Sequence, residues 1–380
     1  MLRTLTRNRL AARVLCLACT LVGAGAFAHA ASAASAWPGS AIRIHVSSTI
    51  SSLKAAQASI VFELTGSTAG RCAPSVAAAS VLGSDVDVRL HWPAKGCVDD
   101  RLAPFSLAAD AASITGTALP RGPVYHVSVH DEDGNLLAFR VLETSVFGKW
   151  PTPENGFWWP QSSDAEGAPV AAGSGVGIES QGLQLAINVF GFGETGAPVW
   201  YFAGTRQNGR TASASLVELQ HGDSLFAASG SRPAVQPGPR IELEFLSTSK
   251  ARAWFVQTDG NRDVDIREVL LVRKPFIRNA SVANLIAGHW VLVSDAEAMP
   301  RQFSFGELPA PDSASVMLGD VDADASLTCH VDPDTREATL CSLAVAGAPL
   351  ADFYQVGLDR LVGRASDGTS VQLLRVPQKQ

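Results

Sequence analysis

Between residues 42 and 147 the chain alternates apolar and polar positions at period two, in short runs set apart by turn-forming residues. SIVFEL (59–64) and DVDVRLHW (85–92) have the pattern of strands with one face buried and one solvated. LPRGPVYHVSVHDEDGNLLAFRVLE (119–143) predicts a hairpin. In it Val124, His126, Ser128 and His130 share one face, and Tyr125, Val127 and Val129 the other. Asp133-Gly134-Asn135 supplies a turn that tolerates positive φ. About seven such runs in roughly 105 residues predict an immunoglobulin-like sandwich.

Gly148 to Pro153 then read as a linker or domain entrance, because the prolines force extended backbone. The stretch after it opens on ENGFWWPQ (154–161), an aromatic triple directly before a proline. A Gly/Ala/Ser-rich insertion, DAEGAPVAAGSG (164–175), is too small and polar to form core. Alternating strands are predicted at 182–190, 198–204, 213–219, 240–247, 251–258 and 264–273. A second opening of the same kind, Gly288-His289-Trp290, starts another strand series that runs through SLTCHVD, ATLCSLAV, DFYQVGLD and SVQLLRVP. Of a possible internal repeat, only the Gly-x-Trp opening is legible. The fold class expected is all-β: an immunoglobulin-like sandwich (37–148), a Trp-rich barrel-like unit (149–275) and a second small β unit (276–380). The last two form one or two antiparallel, lipocalin- or avidin-like barrels.

The first 36 residues change the picture of where this chain works. MLRTLTRNRLAAR is basic, VLCLACTLVGAGAFA is apolar, and small residues offer cleavage after Ala30, Ala33 or Ala36, which is the order of a secretory signal peptide. A lipid anchor at Cys19 is disfavoured, because the apolar run continues past it and Cys16 stands where a large aliphatic belongs. No later run is apolar for long enough to make a transmembrane segment, and the expected location is secreted or periplasmic. Without Arg3, Arg7, Arg9 and Arg13 the 30 basic residues become 26 against 36 acidic ones, a net charge of −10. That charge, with no basic cluster, argues against nucleic acid as a partner. Removing the leader also leaves four of six cysteines. In an exported chain these read as disulfides, with Cys72–Cys97 and Cys329–Cys341 the preferred local pairs of three possible arrangements. Closely spaced cysteine pairs of the kind zinc takes are missing.

Candidate chemistry is sparse. Asp259, Asn261, Asp263 and Asp265 resemble a calcium loop, but Val264 and Leu270 stand where glycine and a bidentate glutamate belong. Those acids, and Asp320, Asp322 and Asp324, are expected in solvated turns. His126 and His130 lie about 13 Å apart on one strand face, too far to share a metal. No metal site, cofactor or catalytic residue is expected: G-x-S-x-G, H-E-x-x-H and Walker signatures do not occur. Trp158, Trp159, Trp200 and Tyr201 are the candidate ligand-binding residues, as a stacking platform for a sugar ring or another flat apolar ligand. Strand alternation adds a condition: one of each adjacent pair must face inward.

Residues Gly156, Trp158, Trp159 and Pro160, then Ser174, Gly175 and Gly177, then Phe192, Gly196, Pro198, Trp200 and Tyr201 form a pattern. It resembles a domain common in exported proteins of proteobacteria, G-x-W-W/Y-x-P, then S/G-G-x-G, then an aromatic hairpin ending in P-x-W-Y. The resemblance covers about sixty residues and implies export and β-structure rather than a reaction. The chain departs from it in the 164–173 insertion, in lacking the usual Asn before the proline, and in having Phe192-Gly193 where Tyr-Asp is common. The expected function is therefore an exported, non-catalytic β-protein that binds a glycan, a small apolar ligand or an exported protein. The alternatives are a glycan-directed hydrolase with carboxylates drawn from separate strands, and a subunit of an envelope assembly, marked by an unpaired edge strand.

Overall fold

A computed structural model describes residues 42–49, 59–69, 73–92, 102–110, 124–143, 150–161, 171–193, 195–222, 226, 230, 232–260, 262–273, 281–294, 300–310, 312, 314–320, 322–332 and 337–376. The expected leader (1–36) and the expected Cys72–Cys97 pair lie outside them. The described residues are almost wholly β, in two small sheets and two closed antiparallel barrels.

Strands β1 (Arg43–Thr49), β2 (Ser59–Ala69) and β5 (Leu102–Asp110) form a three-stranded sheet in the order β1-β2-β5. Strands β3 (Ser75–Leu82), β4 (Asp85–His91), β6 (Val124–His130) and β7 (Leu136–Glu143) form the second, in the order β3-β4-β6-β7. The period-two pattern sorts their side chains as it predicts. Val86, Val88 and Leu90, with Tyr125, Val127 and Val129, are buried, and Phe62 meets Tyr125 edge to face at 6.1 Å. The predicted hairpin is β6-β7. Asp131 accepts from the Asn135 N–H, and Gly134 takes φ +85° in the turn. The β4–β6 pairing is parallel, which hairpin signals do not reveal.

The first barrel comprises β8 (Gly156–Pro160), β9 (Gly175–Gln181), β10 (Gln184–Phe192), β11 (Pro198–Arg206), β12 (Thr211–Gln220), β13 (Ala234–Phe245), β14 (Lys250–Asp259) and β15 (Arg262–Arg273). Its interior is filled by its own side chains, among them Trp158, Ile178, Ile187, Leu216, Ile241 and Phe245. A short helix, α1 (Val282–Ile286), capped by the Ser281 hydroxyl, leads into the second barrel. That barrel comprises β16 (Gly288–Ser294), β17 (Arg301–Leu308), β18 (Ser315–Asp320), β19 (Ala325–Val331), β20 (Ala338–Val345), β21 (Ala348–Val356), β22 (Arg360–Ala365) and β23 (Ser370–Arg375). Cys329 and Cys341 face each other on β19 and β20 and are joined.

Both barrels close in the same way. The first strand meets the last with Trp158 opposite Arg273 in one and Trp290 opposite Arg375 in the other. Each indole N–H donates to the carbonyl four residues earlier, Glu154 O at 3.2 Å and Ile286 O at 2.7 Å. Two residues before each tryptophan stands a glycine at φ +123° or +124°. A methyl group there would come within 2.9 Å of Arg273 Nε, or 3.2 Å of Arg375 Nη1. The arginines use the space to reach carbonyls: Arg273 donates to Asn155 O, and Arg375 to Ala287 O, Leu285 O and Leu358 O. The Arg375 guanidinium also lies over the Trp290 ring, 4.5 Å from its centroid.

The two closures meet at one aspartate. Asp359 lies 3.7 Å from Arg273 and 3.9 Å from Arg375. The buried Glu154 carboxylate accepts from the Asp359 N–H at 2.8 Å, and burial pushes its pKa up. Thr248 donates to Val356 O and Gln355 to Trp150 O alongside. Gly156→Ala and Gly288→Ala should each lower unfolding stability by about 1–3 kcal/mol. Gly204→Ala, in open space on β11, should leave it within about 0.5 kcal/mol. Urea unfolding followed by tryptophan fluorescence checks all three.

Candidate functional site

The outer surface of the first barrel has two opposed apolar regions, and the sequence pattern explains both. On β14 the residues in phase with the interior are Ala251, Ala253 and Phe255, so Trp254 and Val256 point outward. Yet they are buried, because Val124, Phe139 and Val141 of the β6-β7 hairpin cover them. Around this apolar seam runs a polar one. Asp263 accepts from the Phe139 N–H at 2.8 Å and from Arg240, whose guanidinium also reaches Phe139 O. Glu242 sits between Arg240 and Arg140 and accepts from Ser213; burial pushes its carboxyl up against the pull of those two cations.

At the edge of the seam His126 is 5 % exposed, bonded through Nδ1 to Asp85 at 2.8 Å and through Nε2 to Glu244 at 3.1 Å. Its ring packs 4.5 Å from that of Trp254. Burial disfavours the imidazolium, but the bonds to Glu244 and Asp85 and their charges outweigh it, so the His126 pKa is raised.

The expectation that the acids at 259–265 and 320–324 are solvated turns is corrected at two positions. Asp263 is buried as the anchor just described. Asp320 is buried and accepts from the backbone N–H groups of Ser304, Asp322 and Ala323. Both serve backbone donors that strand pairing leaves over, which spacing alone does not signal. Among the described residues no three His, Cys, Asp or Glu side chains converge as metal ligands.

The opposite face of the barrel, over β8 to β11, carries the aromatic residues. Of the four candidates, Trp158 is wholly buried at the closure, and Tyr201 points inward against the core. Burial first, and the nearby Glu218 second, raise the Tyr201 pKa. Trp159 is half-buried on the outer side, and Trp200 is 66 % exposed.

These two do not stand alone. Phe190 lies 6.0 Å from Trp159, 5.9 Å from Trp200 and 5.8 Å from Phe157, centroid to centroid. It can occupy that centre because its cross-strand neighbour is Gly175, where a methyl group would stand 2.4 Å from Phe190 Cζ. One step along the strands, Phe157, Gly177, Asn188 and Phe202 form a second row. Phe192 and Pro198 form a third. Phe157, Phe192 and Phe202 are all exposed, and none of these ten positions carries a charge.

The stacking platform expected from Trp158, Trp159, Trp200 and Tyr201 thus comes down to Trp159 and Trp200, completed by phenylalanines that the sequence reading passed over. Their signal was present. In GLQLAINVFGF the outward phase is set by Gln184 and Asn188, and Phe190 and Phe192 fall in that phase. Compared with protein-family models and with curated protein sequences, the chain matches none.

The His126 bridge has a defined pH dependence. A raised native pKa contributes stability that is fully present below pH 6.5, and that is lost as pH rises through the native value. Unfolding midpoints should therefore fall as pH rises above 6.5, and His126→Gln should flatten that part of the curve. Urea midpoints of both proteins across the range check it.

Proposed function

We propose that the protein is an exported, non-catalytic binding protein, and that it binds an uncharged glycan on the outer face of its first barrel. The observation that carries this reading is the cluster of Trp159, Phe190 and Trp200 with Phe157, Phe192 and Phe202, exposed among ten cross-strand positions that carry no charge, with Glu179 and Arg206 only in the rows beyond them. Contiguous exposed aromatic surface of this kind marks interaction sites rather than ordinary monomer surface.

Shape argues for an extended ligand. Small-molecule sites are concave and enclose their ligand, whereas these rings lie on the outside of a barrel whose interior is packed with side chains. Chemistry argues for a neutral sugar chain. The C–H face of a pyranose stacks on rings of this size, and the Asn188 amide in the middle row offers both a donor and an acceptor to hydroxyls. An anionic polymer would find no cation among these positions.

The leader at 1–36 supports export, and the β1–β7 sheets read as an immunoglobulin-like module that braces the barrel from its other side. The buried carboxylates Glu154, Glu242, Asp263 and Asp320 are engaged by neighbouring barrels, by the hairpin or in turns, which favours binding over hydrolysis.

The test is titration calorimetry with neutral hexasaccharides, cellohexaose and chitohexaose, beside an oligogalacturonate. Binding of a neutral chain that Trp200→Ala or Trp159→Ala weakens about tenfold or more is expected. Leu183→Ala, on the β9–β10 turn, should leave it unchanged. No binding of the neutral chains, equal binding by the variants, or release of new reducing ends would contradict the proposal.

A further inference from the structure

We propose that β3 is a pairing edge through which two copies of this chain associate, strand to strand, independently of the aromatic face. β3 is the end strand of its sheet and is hydrogen-bonded only to β4 among the described strands. None of its eight residues, Ser-Val-Ala-Ala-Ala-Ser-Val-Leu, is buried, and Leu82 is 82 % exposed. Edge strands of soluble proteins are usually guarded by lysine, proline or an inward-pointing charge, because their free N–H and C=O groups template further pairing. β3 has a register shift between Val76 and Ala78 but no charged residue and no proline.

Its side chains show a second deficit. Val76, Ala79 and Val81 pair with Leu90, Val88 and Val86 and so share the inward face of the sheet. The three β4 residues are buried, whereas the three on β3 remain half-exposed. Among the described residues, the apolar inner face of the sheet is therefore less well covered at β3 than at β4. One more strand would satisfy the backbone and extend that face together.

A second copy fits this edge in register. With Ser80 opposite the partner's Ser80 in an antiparallel pair, Ala79 lies opposite the partner's Val81, and Ala78 opposite the partner's Leu82. Ala79 and Val81 face inward, and Ala78, Ser80 and Leu82 face outward, so every pair matches in face, as a sheet requires. The flanking strand adds charge complementarity. Arg89 pairs with Ala78 and Asp85 with Leu82, so each row through the new contact would carry Arg89 at one end and the partner's Asp85 at the other. Arg89 can lean across the small Ala78. The two Asp87 carboxylates, short and three strand spacings apart, would stay about 14 Å from each other, beyond the roughly 10 Å screening length at 0.1 M salt.

Pairing through one strand buries less than the ~1,200 Å² of a stable complex, so the dimer is expected to be weak and concentration-dependent. The arrangement is isologous: each copy offers the same edge, and pairing leaves no further β3 edge free.

Sedimentation velocity over a hundredfold concentration range tests the association, and a cysteine at the two-fold tests the register. The wild type should move toward dimer as concentration rises, while Ser80→Lys, which sets two ammonium groups against each other on an exposed position, should stay monomeric. Ser80→Cys treated with a short bis-maleimide should give a covalent dimer in at least tenfold greater yield than the wild type or Ser370→Cys, an exposed position on β23. Circular dichroism of the variants should match the wild type, since both positions are exposed. Equal cross-linking at the two cysteine positions, or self-association that Ser80→Lys leaves unchanged, would overturn the proposal. So would a wild type that is monomeric throughout while Ser80→Cys does not cross-link above its controls.

Discussion

Trp158 sits where the first barrel closes, with its indole N–H on the Glu154 carbonyl and with Arg273 filling the space that Gly156 leaves open. A closed eight-stranded barrel has an interior just wide enough for side chains, and a tryptophan fills the place where first and last strands join. Because successive strand residues point to opposite faces, burying Trp158 puts Phe157 and Trp159 outside. The aromatic display is therefore a geometric consequence of the closure. Trp290 shows the same closure without the display, since its neighbours are His289 and Val291.

That closure also orders the rest of the molecule. Asp359 lies between Arg273 and Arg375, so the residue that locks one barrel is tied to the residue that locks the other, with Glu154 bonded to the same turn. On a second side the β6-β7 hairpin covers Trp254 and seals the contact with Asp263, Arg240 and the His126 bridge. Two sides of the first barrel are thus engaged by neighbouring structure, and the β8–β11 side keeps its rings exposed. Strands β8 to β11 consequently have a braced support behind them, which would limit the ordering cost of the extended ligand proposed above.

Much of the architecture was legible because it is local. Strand alternation, the Asp133-Gly134-Asn135 turn, the Gly-x-Trp openings and the Cys329–Cys341 pairing each depend on residues close in sequence. What escaped depends on distant partners. Arg273 and Arg375 look like ordinary charges ending a strand until the barrel closes and brings each beside its tryptophan. Asp263 and Asp320 look solvated until backbone donors from other segments reach them. The α1 turn had a local signal in its Ser281 cap, but it is too short for helical periodicity to stand out. Of the exposed aromatic cluster, the sequence pattern singled out Trp159 and Trp200, and alternation implied that Trp158 or Trp159 was core. The phenylalanines were readable only by asking which apolar residues fall in the polar phase of their strand.

The division between tryptophans that close the fold and tryptophans that face outward can be measured directly by hydroxyl-radical footprinting, read residue by residue by mass spectrometry on the native protein. Among Trp158, Trp159, Trp200, Trp254 and Trp290, the expected result is that Trp200 oxidises fastest, Trp159 next, and Trp158, Trp254 and Trp290 only when the protein unfolds. Oxidation of Trp158 at a rate comparable to that of Trp200 would contradict it.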